Sequence, residues 1–166
     1  MLVVTLVLGS TLVACGSGSS TSTLDSVVAP TSTMVRKESD SIFRIGLLVP
    51  RSGPGSTLGE PLVEEAQSAI DAINRIGLAD FDVELIVRDE GPDTATARVA
   101  VDQFIEEDHI DALVGPLSSS VALGVLPTLI TNRIGVCSPA ATTASLINFP
   151  DDGLFVRTTP SDAMVA

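Results

Sequence analysis

From residue 43 onward, short apolar runs alternate with helix-like patterns, and this alternation limits the fold more than any other feature. The apolar runs are rich in Val, Ile and Leu, as buried strands are, and lie at 43–49, 82–89, 110–114, 134–137 and 154–157. Apolar residues recur with the helical period between the first four runs, at 61–76, 94–105 and 119–132. Strands separated by helices of this length form β-α-β units. The sequence therefore predicts an α/β fold, a doubly wound parallel sheet with helices on both faces.

Several helix boundaries are marked by residues with specific local effects. Pro61 suits the first turn of the first helix, where its missing N–H leaves no hydrogen bond unmade. Gly77 is a natural stop for that helix, and Asp93 or Thr94 can cap the second helix. Pro127 lies inside the third helix, so we expect it to bend that helix or to shorten its first half.

The first fourteen residues are uncharged and mostly Leu, Val, Thr and Ala. The segment is too short for a membrane span of about 20 residues but suits the apolar core of a signal peptide. It leads into Leu12-Val13-Ala14-Cys15-Gly16, which resembles the lipobox of bacterial lipoproteins, in which the cysteine is lipidated after cleavage. We therefore expect an extracytoplasmic protein that is anchored to the membrane through a lipid on Cys15.

The N-terminal organisation follows from the same composition. We expect a signal-like segment at 1–14, then Cys15 and a flexible Ser/Thr-rich linker over 15–42, and then one domain over 43–166. No Lys or Arg precedes Arg36, although a signal peptide normally begins with a basic region. Two explanations stay open: the natural start lies upstream of Met1, or the segment is not an efficient signal.

Charge and composition exclude several classes of partner. The net charge is −12 and the nine basic residues are scattered, whereas nucleic-acid binding needs clustered Lys and Arg. There is no Trp or Tyr on which bases or sugars could stack. Cys137 lies on an apolar run, so we expect a small buried residue rather than a nucleophile.

Two hydroxyl-rich loops each follow a predicted strand directly. They are Gly115-Pro116-Leu117-Ser118-Ser119-Ser120 and Ser138-Pro139-Ala140-Ala141-Thr142-Thr143. Such loops lie at the carboxyl ends of parallel strands, where ligands bind. Neither carries a strong acid, a strong base or a metal ligand, and no cofactor is implied, so the pattern favours binding over catalysis. Ser118-Ser119-Ser120 could hold the carboxylate of a zwitterion at a helix N-terminus. Ala140-Ala141-Thr142 could offer a carbonyl group to its ammonium group, and a hydroxyl group. The alternative is ordinary capping by Ser119 and by Thr142 or Thr143, which needs no ligand.

Enzyme sites are less well supported by the residues. Gly53, Gly55 and Gly59 approximate a dinucleotide-binding fingerprint, with Asp89 where a ribose-binding acid would lie. However, the spacing has an extra residue, and the helix predicted from Pro61 begins well past the glycines.

A hydrolase or a metal site is also weakly supported. The sequence has no G-x-S-x-G motif, and its only histidine, His109, is predicted at the end of the second helix. The preceding acidic residues 106–108 would point in different directions on a helix, so we expect a solvated face there rather than a metal site.

From residue 43 to the end, the chain resembles the type I periplasmic binding proteins of branched-chain amino acid ABC transporters. The stretches that carry this resemblance lie in the same order and spacing, at 45–50, 52–54, 58–60, 69–74, 115–120, 138–142 and 155–162. The resemblance implies a fold of two doubly wound lobes that are joined by hinge strands and close on a ligand. The chain is much shorter than such proteins, so it would supply an incomplete first lobe, with the second lobe absent.

The resemblance also implies roles for individual residues. Ser119 would bind the α-carboxylate of the ligand through its hydroxyl group. Ala140 would offer its backbone carbonyl to the ammonium group, and Thr142 its hydroxyl and N–H to the same polar head. Ala141 would line the pocket. Leu58 would lie where some relatives place an aromatic residue against the ligand side chain, which leaves the side-chain preference open.

The function that this resemblance implies is solute binding rather than catalysis. We expect an extracytoplasmic lipoprotein that delivers a branched-chain or similar amino acid to an ABC permease in the membrane. Half of a cleft would leave the ligand exposed to water, so we expect weak or undetectable amino-acid binding by this chain alone. A sensory or regulatory ligand-binding module of the same fold is the alternative, and a nucleotide-binding enzyme domain is a distant third.

Overall fold

The computed structural model describes residues 41–78 and 80–164. The predictions for the signal-like segment and for Cys15 lie outside the described residues. The strands are β1 (Ile42–Val49), β2 (Asp82–Asp89), β3 (Ala112–Val114), β4 (Gly135–Ser138) and β5 (Phe155–Arg157). The helices are α1 (Gly59–Ile76), α2 (Thr94–Glu106) and α3 (Ser119–Thr131).

The five strands form one sheet in the order β2-β1-β3-β4-β5, and every neighbouring pair is parallel. The chain steps from β1 outward to β2, then crosses back to β3, so the strand order changes direction between β1 and β3. This is the arrangement of a doubly wound sheet and confirms the predicted fold class. Because such crossovers are right-handed, α1 covers one face of the sheet and the packed pair α2 and α3 covers the other.

The main core lies between the sheet and the α2–α3 pair. Its largest fully buried side chains include Phe104 of α2, Leu48 of β1 and Leu113 of β3. Leu126 and Leu129 of α3 complete it, and both are fully buried. Burial of apolar surface on this scale fixes α3 against β3 and β4, and therefore fixes the loops that join them.

The local boundary signals act largely as the sequence predicts. Gly77 ends α1 in the left-handed conformation, with φ of 60°, and the Asp93 side chain accepts a hydrogen bond from the Thr96 N–H as the cap of α2. Helix α1 begins at Gly59, two residues earlier than predicted, so Pro61 still lies in the first turn. None of the helices in the described part is both long and apolar enough to cross a membrane.

The prediction that Pro127 shortens α3 is wrong. The helix continues from Ser119 to Thr131 through the proline. Pro127 is exposed, whereas its neighbours Leu126 and Leu129 are completely buried. The burial of the opposite helix face offsets the one intrahelical hydrogen bond that the proline cannot make.

Candidate functional site

The two hydroxyl-rich loops lie side by side at one edge of the sheet. Strands β3 and β4 are parallel partners, so both loops leave the sheet at the same edge. The first loop begins at Gly115, whose N–H donates to the Cys137 carbonyl at 2.9 Å. Gly115 has a φ of 108°, and an added Cβ would overlap the Leu48 carbonyl oxygen, so only glycine fits there. The sheet therefore brings both predicted loops to one place.

The Ser119 hydroxyl joins the two loops. Its Oγ accepts hydrogen bonds from the Thr142 N–H at 3.1 Å and from the Thr143 N–H at 3.3 Å. A hydroxyl oxygen has two acceptor positions and one proton to donate. Both acceptor positions of Ser119 are filled, so a further partner must itself be an acceptor, such as a carboxylate oxygen.

This geometry corrects the role predicted for the Thr142 backbone. The N–H expected to face the ligand is directed at Ser119 Oγ instead. The Thr142 carbonyl is also engaged, because it accepts from the Asp162 N–H at 2.9 Å. Among residues 41–78 and 80–164, no hydrogen bond engages the Thr142 hydroxyl, so the side chain is what remains for a ligand.

The capping alternative holds for only one of the candidate residues. The N-cap of α3 is Ser118, not Ser119, and Ser118 makes no side-chain capping bond, because its Oγ lies 2.9 Å from Ser120 Oγ. Thr143 does cap the short 3-10 turn Ala144–Leu146, where its side chain accepts from the Ser145 N–H. Capping therefore explains Thr143 but leaves the placement of the Ser119 hydroxyl unexplained.

Ala140 and Ala141 are adjacent but have opposite environments. Ala140 is exposed, and no group in the described part of the chain donates a hydrogen bond to its carbonyl oxygen. The role of Ala141 in lining the pocket stays a prediction, and the residue is completely buried and belongs to the main core. Its burial anchors the loop from behind and leaves Ala140 at the surface.

Two residues outside the predicted site hold the second loop in shape. The buried Ser138 hydroxyl donates to the Pro116 carbonyl at 2.7 Å and accepts from the Ala141 N–H at 3.1 Å. The Arg157 guanidinium donates from Nη1 to the carbonyls of Ala141 and Thr143, at 3.3 and 3.0 Å. In the sequence, Arg157 is noticeable only as a single charge on an otherwise apolar strand. Its partners are backbone carbonyl groups at least 14 residues earlier, which the sequence does not distinguish from other backbone groups.

Comparison with known proteins identifies the family. The family model described as "Periplasmic binding protein" matches residues 43–166, which is most of the chain. The chain belongs to the periplasmic binding protein family. A curated relative, the Leu/Ile/Val-binding protein BraC3 of Rhizobium johnstonii, is 32% identical over 103 residues, which cover 61% of this chain and 28% of that protein.

Solved periplasmic binding proteins have the same fold as this chain. LivJ of Streptococcus pneumoniae in complex with isoleucine matches with a TM-score of 0.67 and 25% identity, over 74% of this chain and 35% of LivJ. The leucine-binding protein LivK of Thermotoga maritima matches with a TM-score of 0.64 and 22% identity, over 74% and 34%. The chain therefore spans about a third of the length of these periplasmic binding proteins.

The loop after β1 lies at the same edge of this periplasmic binding protein lobe. Leu58 ends a 3-10 turn, Ser56–Leu58, and is 57% exposed. Asp89 Oδ1 anchors the start of that loop by accepting from the N–H groups of Arg51 at 2.7 Å and Ser52 at 3.2 Å. It also accepts from the Gly91 N–H at 2.8 Å. These hydrogen bonds within the chain explain the acidic residue at position 89, so a bound ribose is not needed to explain it.

The glycines of this loop also have a packing explanation. Helix α1 begins at Gly59 itself, so the distance between helix and glycines does not argue against a nucleotide. However, a Cβ at Gly59 would overlap the Pro50 carbonyl oxygen, so the glycine lets the start of α1 lie against the end of β1. A phosphate is not needed to explain it.

The acidic cluster at the end of α2 is paired rather than simply solvated. Arg88 of β2 contacts Asp108 at 2.6 Å and Glu107 at 3.2 Å, and these carboxylates raise the pKa of Arg88 although burial opposes them. His109 is exposed, and its Nδ1 lies 3.0 Å from the Ile105 carbonyl oxygen. The cluster ties β2 to α2 and offers no catalytic arrangement.

Ser119, Ala140 and Thr142 form a shelf at the surface of the chain, where Ala140 is exposed and the other two residues are half-buried. One concave surface lies beside α2, lined by residues such as Val87, Thr96 and Gln103. Another lies beside β5, lined by residues such as Leu146, Phe155 and Met164. Neither of these two surfaces contains a residue of the shelf.

Proposed function

We propose that this chain contributes one wall of an amino-acid site in an extracytoplasmic solute-binding protein of an ABC transporter. The observation that carries the proposal is the state of the Ser119 hydroxyl, whose two acceptor positions are filled by Thr142 and Thr143. Its proton is left for an acceptor on the ligand. A carboxylate oxygen is such an acceptor.

The surroundings of Ser119 favour a zwitterion. Ser119 is the first residue of α3, a helix of 13 residues, whose N-terminus carries a partial positive charge that favours a carboxylate. On the neighbouring loop, the Ala140 carbonyl and the Thr142 hydroxyl can accept hydrogen bonds from an ammonium group. LivJ is solved in complex with isoleucine and BraC3 is a Leu/Ile/Val-binding protein, which supports a branched-chain amino acid as the ligand here. Leu58 would then contact the ligand side chain.

The open shelf sets the expected affinity. A ligand covered on one side keeps much of its surface in water, so little burial offsets the entropy lost on binding. We expect binding of leucine in the millimolar range by the 166-residue chain. Micromolar affinity would contradict the proposal that these residues form only one wall.

Three ligands test which charge the site recognises. Leucine carries both charged groups, 4-methylpentanoate lacks only the ammonium group and 3-methylbutylamine lacks only the carboxylate. We expect leucine to bind best, 4-methylpentanoate more weakly and the amine not at all, measured by NMR titration of the 166-residue chain. Equal binding of all three would contradict recognition of the polar head.

A matched pair of substitutions places the carboxylate contact. Ser119→Ala removes the hydroxyl group, and with it both the proton offered to the carboxylate and the acceptor of the Thr142 and Thr143 N–H groups. It should weaken leucine binding at least about ten-fold, the loss of one hydrogen bond to a charged group. Ser68→Ala makes the same change on the exposed surface of α1 and should leave the affinity unchanged. Equal affinities of Ser119→Ala and the parent chain would remove Ser119 from the site.

Location and anchoring are a separate part of the proposal. We propose that Cys15 carries a lipid that holds the protein at the outer side of the cell membrane, next to its permease partner. The sequence of residues 12–16 supports this. Cys15→Ser should move the protein from the membrane fraction to the soluble fraction, and the same distribution for both forms would exclude the anchor.

A further inference from the structure

Glu90 is a buried carboxylate that the proposed binding of a ligand does not use. It follows β2 directly, is 2% exposed, and its N–H donates to the Val49 carbonyl at 2.8 Å. This bond extends the β1–β2 ladder by one residue and fixes the Glu90 backbone. Within residues 41–78 and 80–164, no basic side chain forms an ion pair with Glu90. A buried charge without a counter-ion must be stabilised by hydrogen bonds instead.

Those hydrogen bonds come from two consecutive amides of the loop after β3. Glu90 Oε2 accepts from the Leu117 N–H at 2.9 Å, and Oε1 accepts from the Ser118 N–H at 2.8 Å. One carboxylate that binds two successive N–H groups fixes both the position of the chain and the rotation of its peptide planes. Ser118 is the N-cap of α3 and Ser119 follows it, so the fixed segment ends directly before the proposed ligand contact.

We propose that Glu90 is the positioning residue of Ser119: by holding the amides of Leu117 and Ser118, it sets the direction of the Ser119 hydroxyl. This inference rests on the proposed function for the role of that hydroxyl toward a ligand. Glu90 itself does not contact the ligand. It also occupies the N–H groups of Leu117 and Ser118, so these two amides are not available to a ligand carboxylate.

The substitution Glu90→Gln tests this with little change in shape. A glutamine offers one acceptor and one NH₂ donor, and the donor must then face a backbone N–H that is also a donor. One of the two hydrogen bonds is therefore lost. Glu84→Gln is the matched control, because Glu84 lies on β2, the strand that Glu90 follows, with half of its side chain exposed, and pairs with Arg44.

The first readout is amide hydrogen exchange in the 166-residue chain, which needs no ligand. In Glu90→Gln, we expect about ten-fold faster exchange at Leu117 and Ser118. We expect faster exchange also at Thr142 and Thr143, whose N–H groups report the position of Ser119 Oγ. Amides of β1 should exchange at the rate of the parent chain. Unchanged exchange at Thr142 and Thr143 would overturn the inference.

The second readout is leucine affinity, measured in a double-mutant cycle with Ser119→Ala. If Glu90 acts through Ser119, Glu90→Gln lowers the affinity about ten-fold in the parent chain and has little further effect in Ser119→Ala. An equal loss in both backgrounds would show that Glu90 acts elsewhere and overturn the inference. Absence of leucine binding by the parent chain would refute the proposed function, while the exchange readout would still decide whether Glu90 positions Ser119.

A second variant covers the case in which Glu90→Gln does not fold. Glu90→Asp keeps the charge and withdraws the carboxylate by one methylene group. It should give the same exchange pattern at Thr142 and Thr143 with a smaller change. Exchange at the parent rate in a folded Glu90→Asp, monitored by circular dichroism, would contradict the inference.

Discussion

Two loops at the same sheet edge are each held by a carboxylate, and the two carboxylates are neighbours in sequence. Asp89 holds the loop after β1 through the N–H groups of Arg51 and Ser52. Glu90 holds the loop after β3 through the N–H groups of Leu117 and Ser118. The sequence gives both residues the same charge and the same position at the end of a strand, yet their pKa values move in opposite directions.

The opposite shifts follow from burial and from the number of donors. Burial raises the pKa of Asp89, but hydrogen bonds from the Ser52 hydroxyl and from the N–H groups of Arg51, Gly91 and Ser52 outweigh it, so the pKa is lowered. Burial raises the pKa of Glu90 more than its two backbone hydrogen bonds lower it, and the charge of Asp89 adds to the increase. The Asp89 bonds stabilise an ionised group near water, whereas the Glu90 bonds compensate for a buried one.

The two loops differ in burial, as the two carboxylates do. Residues 51–54 after β1 are exposed, whereas Gly115 and Pro116 after β3 are buried. Of these two loops, the one after β3 leads to the Ser119 hydroxyl group, whose position is fixed by hydrogen bonds from the Thr142 and Thr143 N–H groups. The loop after β3 therefore presents a hydroxyl group in a fixed position, whereas the residues of the loop after β1 are exposed.

The largest expected difference between the two carboxylates is in stability. Glu90→Ala removes the buried carboxylate that accepts from two half-buried N–H groups, and should lower the free energy of unfolding by about 3 kcal/mol, measured by urea denaturation. Glu84→Ala on β2 is the control and should change it by less than about 1 kcal/mol. Equal effects of the two substitutions would contradict the role of burial at Glu90.

A smaller loss is expected at Asp89. Asp89→Ala frees N–H groups that lie near the surface and can bind water instead, so the loss should be about 1 kcal/mol in the same denaturation experiment. A loss as large as that of Glu90→Ala would show that the β1 loop is as tightly held as the β3 loop, and would remove the contrast between them.

The smallest effect is the pH dependence of stability, and its sign separates the two residues. The folded pKa of Asp89 is below its ordinary 3.8, so its stabilisation is present above pH 3.8 and is lost as pH falls through the folded pKa. The folded pKa of Glu90 is above its ordinary 4.5, so its contribution is present below pH 4.5 and is lost as pH rises through the folded pKa.

Asparagine and glutamine have no titratable side chain, so Asp89→Asn and Glu90→Gln show how each carboxylate contributes to the pH dependence of stability. The stability difference between the parent chain and Asp89→Asn should narrow as pH falls below 3.8. The difference between the parent chain and Glu90→Gln should narrow as pH rises above 4.5. Thermal unfolding followed by circular dichroism at several pH values measures both differences. If both stability differences changed in the same direction with pH, the two carboxylates would have similar environments, which would contradict the account.

The sequence predicts what depends on local pattern. Strand positions follow from apolar runs, and the ends of helices follow from residues such as Gly77 and Asp93, because caps act within a few residues of the helix terminus. It also predicts that the loops containing Ser119 and Thr142 lie at the carboxyl ends of parallel strands, because each loop directly follows an apolar run.

The support of the site depends on tertiary placement and could not be predicted in the same way. Glu90 bonds the Ser118 N–H 28 residues away, and Arg157 bonds the Ala141 carbonyl 16 residues away. Backbone groups carry no side-chain signal that would identify them as partners. The burial of Ala141 has the same origin, because an alanine on a loop is compatible with either a core or a pocket.

The most direct test of the account is an amide chemical-shift map of the 166-residue chain on addition of leucine. The account predicts that the largest shift changes occur at Ser119–Val121 and at 140–143, and that they are strongly reduced in Ser119→Ala. Largest changes in the concave surface around Thr96 and Gln103, or no localised change at millimolar leucine, would contradict it.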